Sequence, residues 1–170
     1  LLSVRDAIPR ADGERGLDEI RGELADAGYA RGGRLPRQGG RRAASKPMAF
    51  TAPSGATVLV GRNNAQNDEL THRVAARSDI WLHARGVPGS HVIIKAGGTP
   101  PDSATLEFAA SLAARYSQAG GNRRAAVDYC QARSVKRRPG GRPGMVYYTD
   151  YETVTVDVDG AACASAPRDV

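Results

Sequence analysis

The stretch DIWLHARGVPGSHVIIK, residues 79–95, decides the fold of this chain. Two apolar runs, residues 80–85 and 91–96, are rich in Ile, Val and Trp, which favour strands. Between them, Gly86-Val87-Pro88-Gly89 is a strong turn signal. The pattern predicts two strands of one sheet joined by a tight connection.

The first of these strands carries the residues of chemical interest. Alternation along a strand places Asp79, Trp81 and His83 on one face. On a basic surface such a group could stack a base and hydrogen-bond a sugar or a phosphate. Alternatively, Trp81 is half-buried at a domain edge and His83 satisfies a backbone carbonyl. His91 and Lys95 share a face of the second strand, and the sequence does not fix the register that would bring His83 to His91.

The histidine residues do not define a metal site or a catalytic centre. A site built on His83 and His91 is conceivable, but its third ligand is unassigned, Asp79 and Asp128 being the candidates. No nucleophile–base pair, carboxylate pair or zinc-protease pattern is present. Gly61-Arg62-Asn63-Asn64 lacks the glycine spacing of a nucleotide-binding loop. The sequence therefore predicts no metal, no cofactor and no enzyme.

Outward from this centre, the chain alternates short strands and helices. Residues 48–50 and 57–61 predict a hairpin around Pro53-Ser54-Gly55, and Asn63 or Asn64 can cap a helix over residues 65–77. After residue 96 we expect a helix over residues 102–119, a strand over 125–130, a basic loop over 133–144, and strands over 145–149 and 153–158. The predicted fold class is α+β, with a mixed, largely antiparallel sheet and two main helices packed on one side of it.

Composition divides the chain into four parts. Residues 1–30 predict the end of a helical, coiled-coil-like segment, and residues 31–46 form a basic linker rich in Gly and Pro. Residues 47–160 form the globular domain, and residues 161–170 a tail. No apolar run approaches the roughly 20 residues that a membrane-spanning helix needs. Two cysteines without a disulfide framework leave the cytoplasm as the expected compartment.

Charge is concentrated in the middle of the chain. The net charge of +6 conceals a central segment, residues 31–149, with 19 basic and 6 acidic residues, a balance of +13. Such concentration favours a polyanionic partner that is held by phosphate contacts and counterion release. The loop from Arg133 to Gly144 carries five basic residues and no acid, and we interpret it as a mobile phosphate clamp. The turn before Asn64 could bind an anion at a helix N-terminus, or could serve for capping alone.

Long, ordered motifs connect the chain to a known family. The stretches GRNNAQNDELTHRVAARSDIWLHARGVPGSHVIIKAGG (61–98), TLEFAASLAARYSQA (105–119) and VDYCQARSVKRRPGGRPGMVYY (127–148) strongly resemble the NFACT-R domain. This is the RNA-binding domain of the NFACT family of ribosome-associated quality-control factors, formerly called the C-terminal region of fibronectin-binding protein A. The leading LDEIRGELADAGY resembles the end of the helical region that precedes this domain.

The resemblance implies an RNA-binding domain that helps to bind tRNA and the large ribosomal subunit carrying an obstructed peptidyl-tRNA, during rescue of stalled ribosomes and C-terminal alanine tailing. The expected partners are tRNA, ribosomal RNA and the other domains of a full-length NFACT protein, with no membrane. Because the N-terminal NFACT domain and an intact coiled coil are absent, we do not expect this chain alone to perform tailing. The predicted RNA-binding residues are Arg62, Asn63, Asn64, Asn67, Asp79, Trp81, His83, Arg85, Ser90, His91, Lys95, Arg133, Lys136, Arg137, Arg138 and Arg142.

Two alternatives remain open at this point. The chain could be an enzyme that acts on RNA through His83, His91 and Asp79, or a fibronectin-binding adhesion module. RNA cleavage or modification that His83→Ala abolishes would favour the first. Tight fibronectin binding without RNA binding would favour the second.

Overall fold

The computed structural model describes residues 2–26, 28–29, 46–160 and 167 of the chain. The predicted linker, apart from Lys46, and the predicted tail, apart from Pro167, lie outside the described residues. Four α-helices are α1 (Leu2–Ala7), α2 (Gly13–Asp26), α3 (Asn64–Glu69) and α4 (Ser103–Arg115). The strands are β1 (Met48–Thr51), β2 (Thr57–Val60), β3 (Ile80–Ala84), β4 (Val92–Ile94), β5 (Arg124–Gln131), β6 (Val135–Arg137), β7 (Val146–Tyr148) and β8 (Glu152–Asp157).

One six-stranded sheet organises the domain, with strand order β1-β2-β4-β3-β5-β8. Every neighbouring pair in it is antiparallel, so the α+β class is confirmed and the expected mixture of strand directions is corrected. The predicted hairpin at Pro53-Ser54-Gly55 joins β1 to β2. In the β3–β4 hairpin Leu82 lies opposite Val92, which brings His83 next to His91.

Helix α4 covers one face of the sheet. It begins after Asp102, whose side chain accepts a hydrogen bond from the Thr105 N–H at 2.7 Å, and it ends at Arg115 rather than at residue 119. Phe108 and Leu112 are buried against the even-numbered residues of β3 and β4. Burying such a side chain contributes about 1.5–3 kcal/mol, so this layer is the main apolar core.

The opposite face is covered by a second layer, which corrects the expectation that both helices lie on one side. Leu70 packs there with Trp81, Ile93 and Val135. The chain after α3 continues as one π-helical turn, Leu70–Val74, instead of an α-helix to residue 77. The Ala75 N–H donates to the Leu70 carbonyl at 2.8 Å, which is the i to i−5 hydrogen bond that defines a π-helix.

The segment expected as a basic loop is largely a hairpin. Strand β6 pairs with β7 in antiparallel fashion, with Val135 opposite Tyr148 and Arg137 opposite Val146. Val135 is buried, whereas Lys136 and Arg137 are exposed. This β6–β7 hairpin lies over the sheet face that carries Trp81.

The N-terminal helices pack against the domain. The sequence pattern predicts one helix here, whereas α1 and a 3₁₀ turn precede α2. Glu19 of α2 accepts a hydrogen bond from the Asn63 side chain at 2.7 Å. Glu23 accepts one from Asn64 and one from the Ala65 N–H, at 3.0 and 2.9 Å. These contacts place α2 at the N-terminal end of α3.

Candidate nucleic-acid interface

A groove opens between the β6–β7 hairpin and the β3–β4 turn. Its volume is about 760 Å³, in the range typical of binding sites for small molecules. The sheet supplies its floor, the start of α3 one wall, and α1, α2 and Tyr29 its outer edge. We call it the groove, and it is lined by Val4, Glu23, Tyr29, Asn64, Asn67, His83, Gly86, Val87, Pro88, Gly89, His91, Arg138, Arg142, Pro143, Gly144, Met145, Val146 and Tyr148.

Four aromatic rings form a cluster at the floor. Trp81 and His83 are stacked with ring centroids 5.7 Å apart and an interplanar angle of 11°. His91 meets both rings edge-on, at 5.2 and 5.4 Å, and Tyr148 lies 4.8 Å from Trp81. The alternation that predicted a shared face for Trp81 and His83 is therefore confirmed.

Trp81 is not a surface platform for a base in this structure. Its relative exposure is 0%, and the hairpin residues Val135 and Tyr148 cover it. The alternative of a buried tryptophan is thus the one that the structure supports, with deeper burial than expected. The indole instead supports His83, His91 and Tyr148, which do line the groove.

Both imidazoles at the floor are neutral near pH 7. Burial lowers the pKa of His83 to about 4, although Asp128 and hydrogen bonds to the backbone of Gly89 and Ala84 favour the charged form. Burial, with His83 nearby, also holds the pKa of His91 well below its ordinary value. A neutral imidazole offers one donor and one acceptor, which suits a base edge or a hydroxyl better than a phosphate.

The orientation of His91 is fixed by residues from the helix above it. Asn67 accepts a hydrogen bond from the His91 backbone N–H at 3.0 Å and donates to the Gly89 carbonyl at 3.3 Å. Thr71, on the π turn, lies 2.8 Å from His91 Nδ1. A Cβ at Gly61 would fall 2.1 Å from the Asn67 side-chain oxygen, so this close approach requires glycine.

Tyr148 is held by the buried carboxylate of Asp128, which sequence reasoning considered only as a metal ligand and not as an RNA-binding residue. Its hydroxyl donates to Asp128 Oδ2 at 2.7 Å, and Thr153 donates to Asp128 Oδ1 at 2.6 Å. Arg85 Nε lies 3.9 Å from the same carboxylate, which is 3% exposed. Burial and Asp128 raise the pKa of Tyr148, so its phenol remains protonated. The alternation of Val146 and Tyr148 could have indicated that Tyr148 faces inward.

Two arginines stand at the rim of the groove. Arg138 and Arg142 line it on the hairpin side, and the Arg142 guanidinium lies 5.4 Å from the ring centroid of Tyr29. Arg137 points elsewhere: its guanidinium forms a two-pronged ion pair with Asp68, at 2.9 and 2.8 Å. Because successive side chains of β6 point to opposite faces, the basic residues that were expected to form one clamp do not all face the groove.

A second depression lies at the base of the hairpin. It measures about 550 Å³, and its cationic residues are Arg77, Arg133 and Lys136. The remaining lining is polar and includes Asp150. We call this depression the basin. It contains two of the predicted RNA-binding residues, and Arg77 was not predicted.

Other predicted residues have internal partners. Arg62 donates to the carbonyls of Lys46 and Arg10, and Asn63 caps α3 by accepting from the Gln66 N–H at 2.9 Å. Ser90 is buried and donates to the Gly61 carbonyl.

Asp79 and Lys95 also serve the fold. Asp79 is 1% exposed, forms an ion pair with Lys95, and accepts from the backbone N–H groups of Ala76 and Ala96. Lys95 donates in addition to the Val74 carbonyl. These contacts join β4 to the loop before β3, and neither residue is among those that line the groove or the basin.

Within the described part of the chain, no group of three or more His, Cys, Asp or Glu side chains is arranged to hold a metal ion. Asp128, a candidate ligand from the sequence, accepts hydrogen bonds on both oxygens. Cys130 is buried in β5, as expected. None of the described helices is both long and apolar enough to cross a membrane.

The architecture defines an α+β domain with a groove whose lining includes two arginines, two tyrosine rings and two neutral imidazoles. The model of the family described as "NFACT protein RNA binding domain" matches residues 46–150. This chain belongs to the NFACT family and contains its RNA-binding domain.

Named relatives agree with this assignment. The chain is 43% identical over 150 residues to "Rqc2 homolog RqcH" of Bacillus subtilis, covering 85% of this chain and 25% of that protein. It is 36% identical over 169 residues to the protein of the same name from Streptococcus pneumoniae, covering 99% and 30%. The chain thus spans about a quarter to a third of the length of these relatives.

A solved structure confirms the fold. It is described as the C-terminal part of the fibronectin/fibrinogen-binding protein from Streptococcus suis. The TM-score is 0.81 at 36% sequence identity, over 92% of this chain and 62% of that one.

Proposed function

We propose that this chain binds RNA through the groove and the basin, as the RNA-binding part of a ribosome-associated quality-control factor in the cytoplasm. Its partners would be tRNA and the large ribosomal subunit that carries an obstructed peptidyl-tRNA, and the process would be rescue of stalled ribosomes with C-terminal alanine tailing. The chain would contribute binding and not catalysis.

The observation that carries this proposal is the division of the groove into a cationic rim and an uncharged polar floor. Arg138 and Arg142 at the rim can neutralise phosphates, whereas His83, His91 and Tyr148 make the floor polar without charge. The Tyr148 hydroxyl donates a hydrogen bond to Asp128, and its oxygen can still accept a hydrogen bond. The central excess of +13 supplies the long-range attraction that a polyanion requires. The family to which the chain belongs is described as RNA-binding, which also supports this proposal.

The test is binding to tRNA and to isolated large ribosomal subunits across a salt series. The variant is Arg138→Gln/Arg142→Gln. The matched control is Arg123→Gln/Arg124→Gln, two exposed arginines of which the first precedes β5 and the second begins it. Each lost phosphate contact lowers the slope of log affinity against log salt by about 1, so we expect a decrease of about 2 in the groove variant. At moderate salt the affinity should fall by about tenfold or more.

Equal losses in the two variants would mean that total charge, and not the groove, determines binding. No RNA binding by the wild type at low salt would refute the proposal. Fibronectin binding in its place would turn attention to the property for which the Streptococcus suis protein is named.

A further inference from the structure

The groove has a form that phosphate binding does not explain. Among the lining residues that the structure describes, cations stand only at the rim, while the floor lies under the β6–β7 hairpin and contains His83 and His91. His91 is 2% exposed, so only a small group that enters the groove can reach this depth. An intact duplex keeps its bases inside the stack and presents its backbone outward, so it cannot fill this space.

The walls suit a flat, partly apolar group. Pro88 and Val87 of the β3–β4 turn line one side, and Met145 and Val146 of the hairpin line another. Met145 is 43% exposed, so its side chain is accessible to a group in the groove. Apolar walls with a few convergent polar groups are the usual composition of a small-ligand site.

The floor of the groove is uncharged and its rim is positive. This distribution complements a nucleotide, in which the base is uncharged and the phosphates are negative. The imidazoles of His83 and His91 are neutral near pH 7, and the Tyr148 phenol is protonated. Uncharged donors and acceptors match the edge of a base or a ribose hydroxyl. Arg138 and Arg142 match the flanking phosphates.

Glu23 determines on which side of the groove the RNA backbone would lie. Its carboxylate lines the α3 side of the groove, where it accepts hydrogen bonds from the Asn64 side chain and the Ala65 N–H. A negative group at this edge repels phosphate. The phosphates on either side of the inserted group are therefore directed to the hairpin side, where the two arginines lie.

We infer that the groove receives a single unpaired nucleoside of the bound RNA, with its base over His83 and Tyr148 and its phosphates at Arg138 and Arg142. This inference rests on the proposed function and names the part of the RNA that the groove reads. The domain thereby discriminates an unpaired or bulged position from continuous duplex, which charge alone does not do.

The experiment compares two RNAs of the same sequence and length of duplex, one fully paired and one with a single bulged 2-aminopurine. Affinities are measured at one salt concentration. The wild type is expected to prefer the bulged RNA by about tenfold, the order of one base–aromatic contact, and the 2-aminopurine fluorescence should change on binding.

His83→Gln is expected to remove this preference and leave the salt slope unchanged. His72→Gln is the matched control, because it makes the same chemical change at a histidine outside the set that lines the groove. Arg138→Gln/Arg142→Gln should weaken binding of both RNAs by similar factors. Thermal unfolding of each variant establishes that the fold is intact.

A variant-free measurement covers the case in which His83→Gln fails to fold. A 4-thiouridine at the bulged position is crosslinked to the wild-type chain, and the attachment site is mapped by mass spectrometry. We expect attachment to groove residues, at His83 or within 86–91 or 145–148. Attachment elsewhere, or equal affinity of the wild type for the two RNAs, would overturn the inference and leave RNA binding itself in place. If neither RNA binds at low salt, the proposed function fails as well.

Discussion

The two faces of the six-stranded sheet are built differently. Beneath α4, apolar side chains such as Phe108, Leu82 and Val92 form a continuous core. Beneath the β6–β7 hairpin, the smaller apolar cluster around Trp81 is combined with buried polar residues such as Asn67. The apolar core on the first face stabilises the domain. On the second face, some of the buried residues are polar and position the side chains of the groove. Stability and recognition are thus assigned to opposite sides of the same strands.

The largest expected effect lies on the α4 face. Phe108→Ala should lower the free energy of unfolding by about 3–5 kcal/mol, because it removes a buried ring and leaves a cavity. Denaturant unfolding measures this loss. The RNA affinity of the folded fraction should stay within twofold of the wild type, and a larger change would show that the two faces are not independent.

Lowering the pH should destabilise the protein mainly through the sheet face under the β6–β7 hairpin. The folded-state pKa of His83 is about 4 against an ordinary 6.5, so between these values the unfolded chain binds more protons than the folded chain. Stability is therefore lost as the pH falls from 6.5 to about 4, by up to about 3 kcal/mol at 1.4 kcal/mol per unit. His91 acts in the same direction.

The check is the free energy of unfolding at pH 7 and at pH 4.5, for the wild type and for His83→Gln. The raised pKa of Glu23 acts in the opposite direction, so the difference between the two proteins isolates the histidine. If both lose the same stability on acidification, burial of His83 is not the cause.

Removal of a buried hydrogen-bonding group should have a smaller effect. Asn67→Ala leaves the His91 N–H and the Gly89 carbonyl without their partner, which costs about 1–3 kcal/mol. Asn122→Ala, at an exposed position, is the matched control and should change stability by less than about 0.5 kcal/mol. RNA affinity should fall as well, since Asn67 orients the groove floor. Unchanged affinity in a destabilised variant would restrict Asn67 to a structural role.

The smallest effect is expected at the ion pair between the hairpin and α3. Arg137→Gln breaks the contact with Asp68, and exposed pairs of this kind contribute about 0.2–1 kcal/mol. Because Arg137 is already engaged, its removal should change the salt slope of RNA binding less than the removal of Arg138 does. Equal slopes for the two single variants would mean that Arg137 leaves Asp68 to contact RNA.

Local patterns predict the strands and caps well. Alternation places Trp81 and His83 on one face, and Asn63 is recognisable as a cap. The basic segment after Arg133 has the composition of a loop, because its Gly and Pro content hides a three-residue strand. The π turn after α3 escapes sequence reasoning, since its residues have ordinary helical spacing.

The sequence by itself determined the α+β class, the strand faces and the central positive charge, because these depend on local alternation, turn residues and composition. Its long ordered motifs also indicated the family, by resemblance. Only the tertiary structure decided what covers each face. The β6–β7 hairpin folds back over Trp81, so an expected base-stacking ring becomes buried support. The pairing of Arg137 with Asp68, 69 residues away, removes a cation from the expected clamp. Such contacts join distant segments whose approach depends on packing, and no local pattern records them.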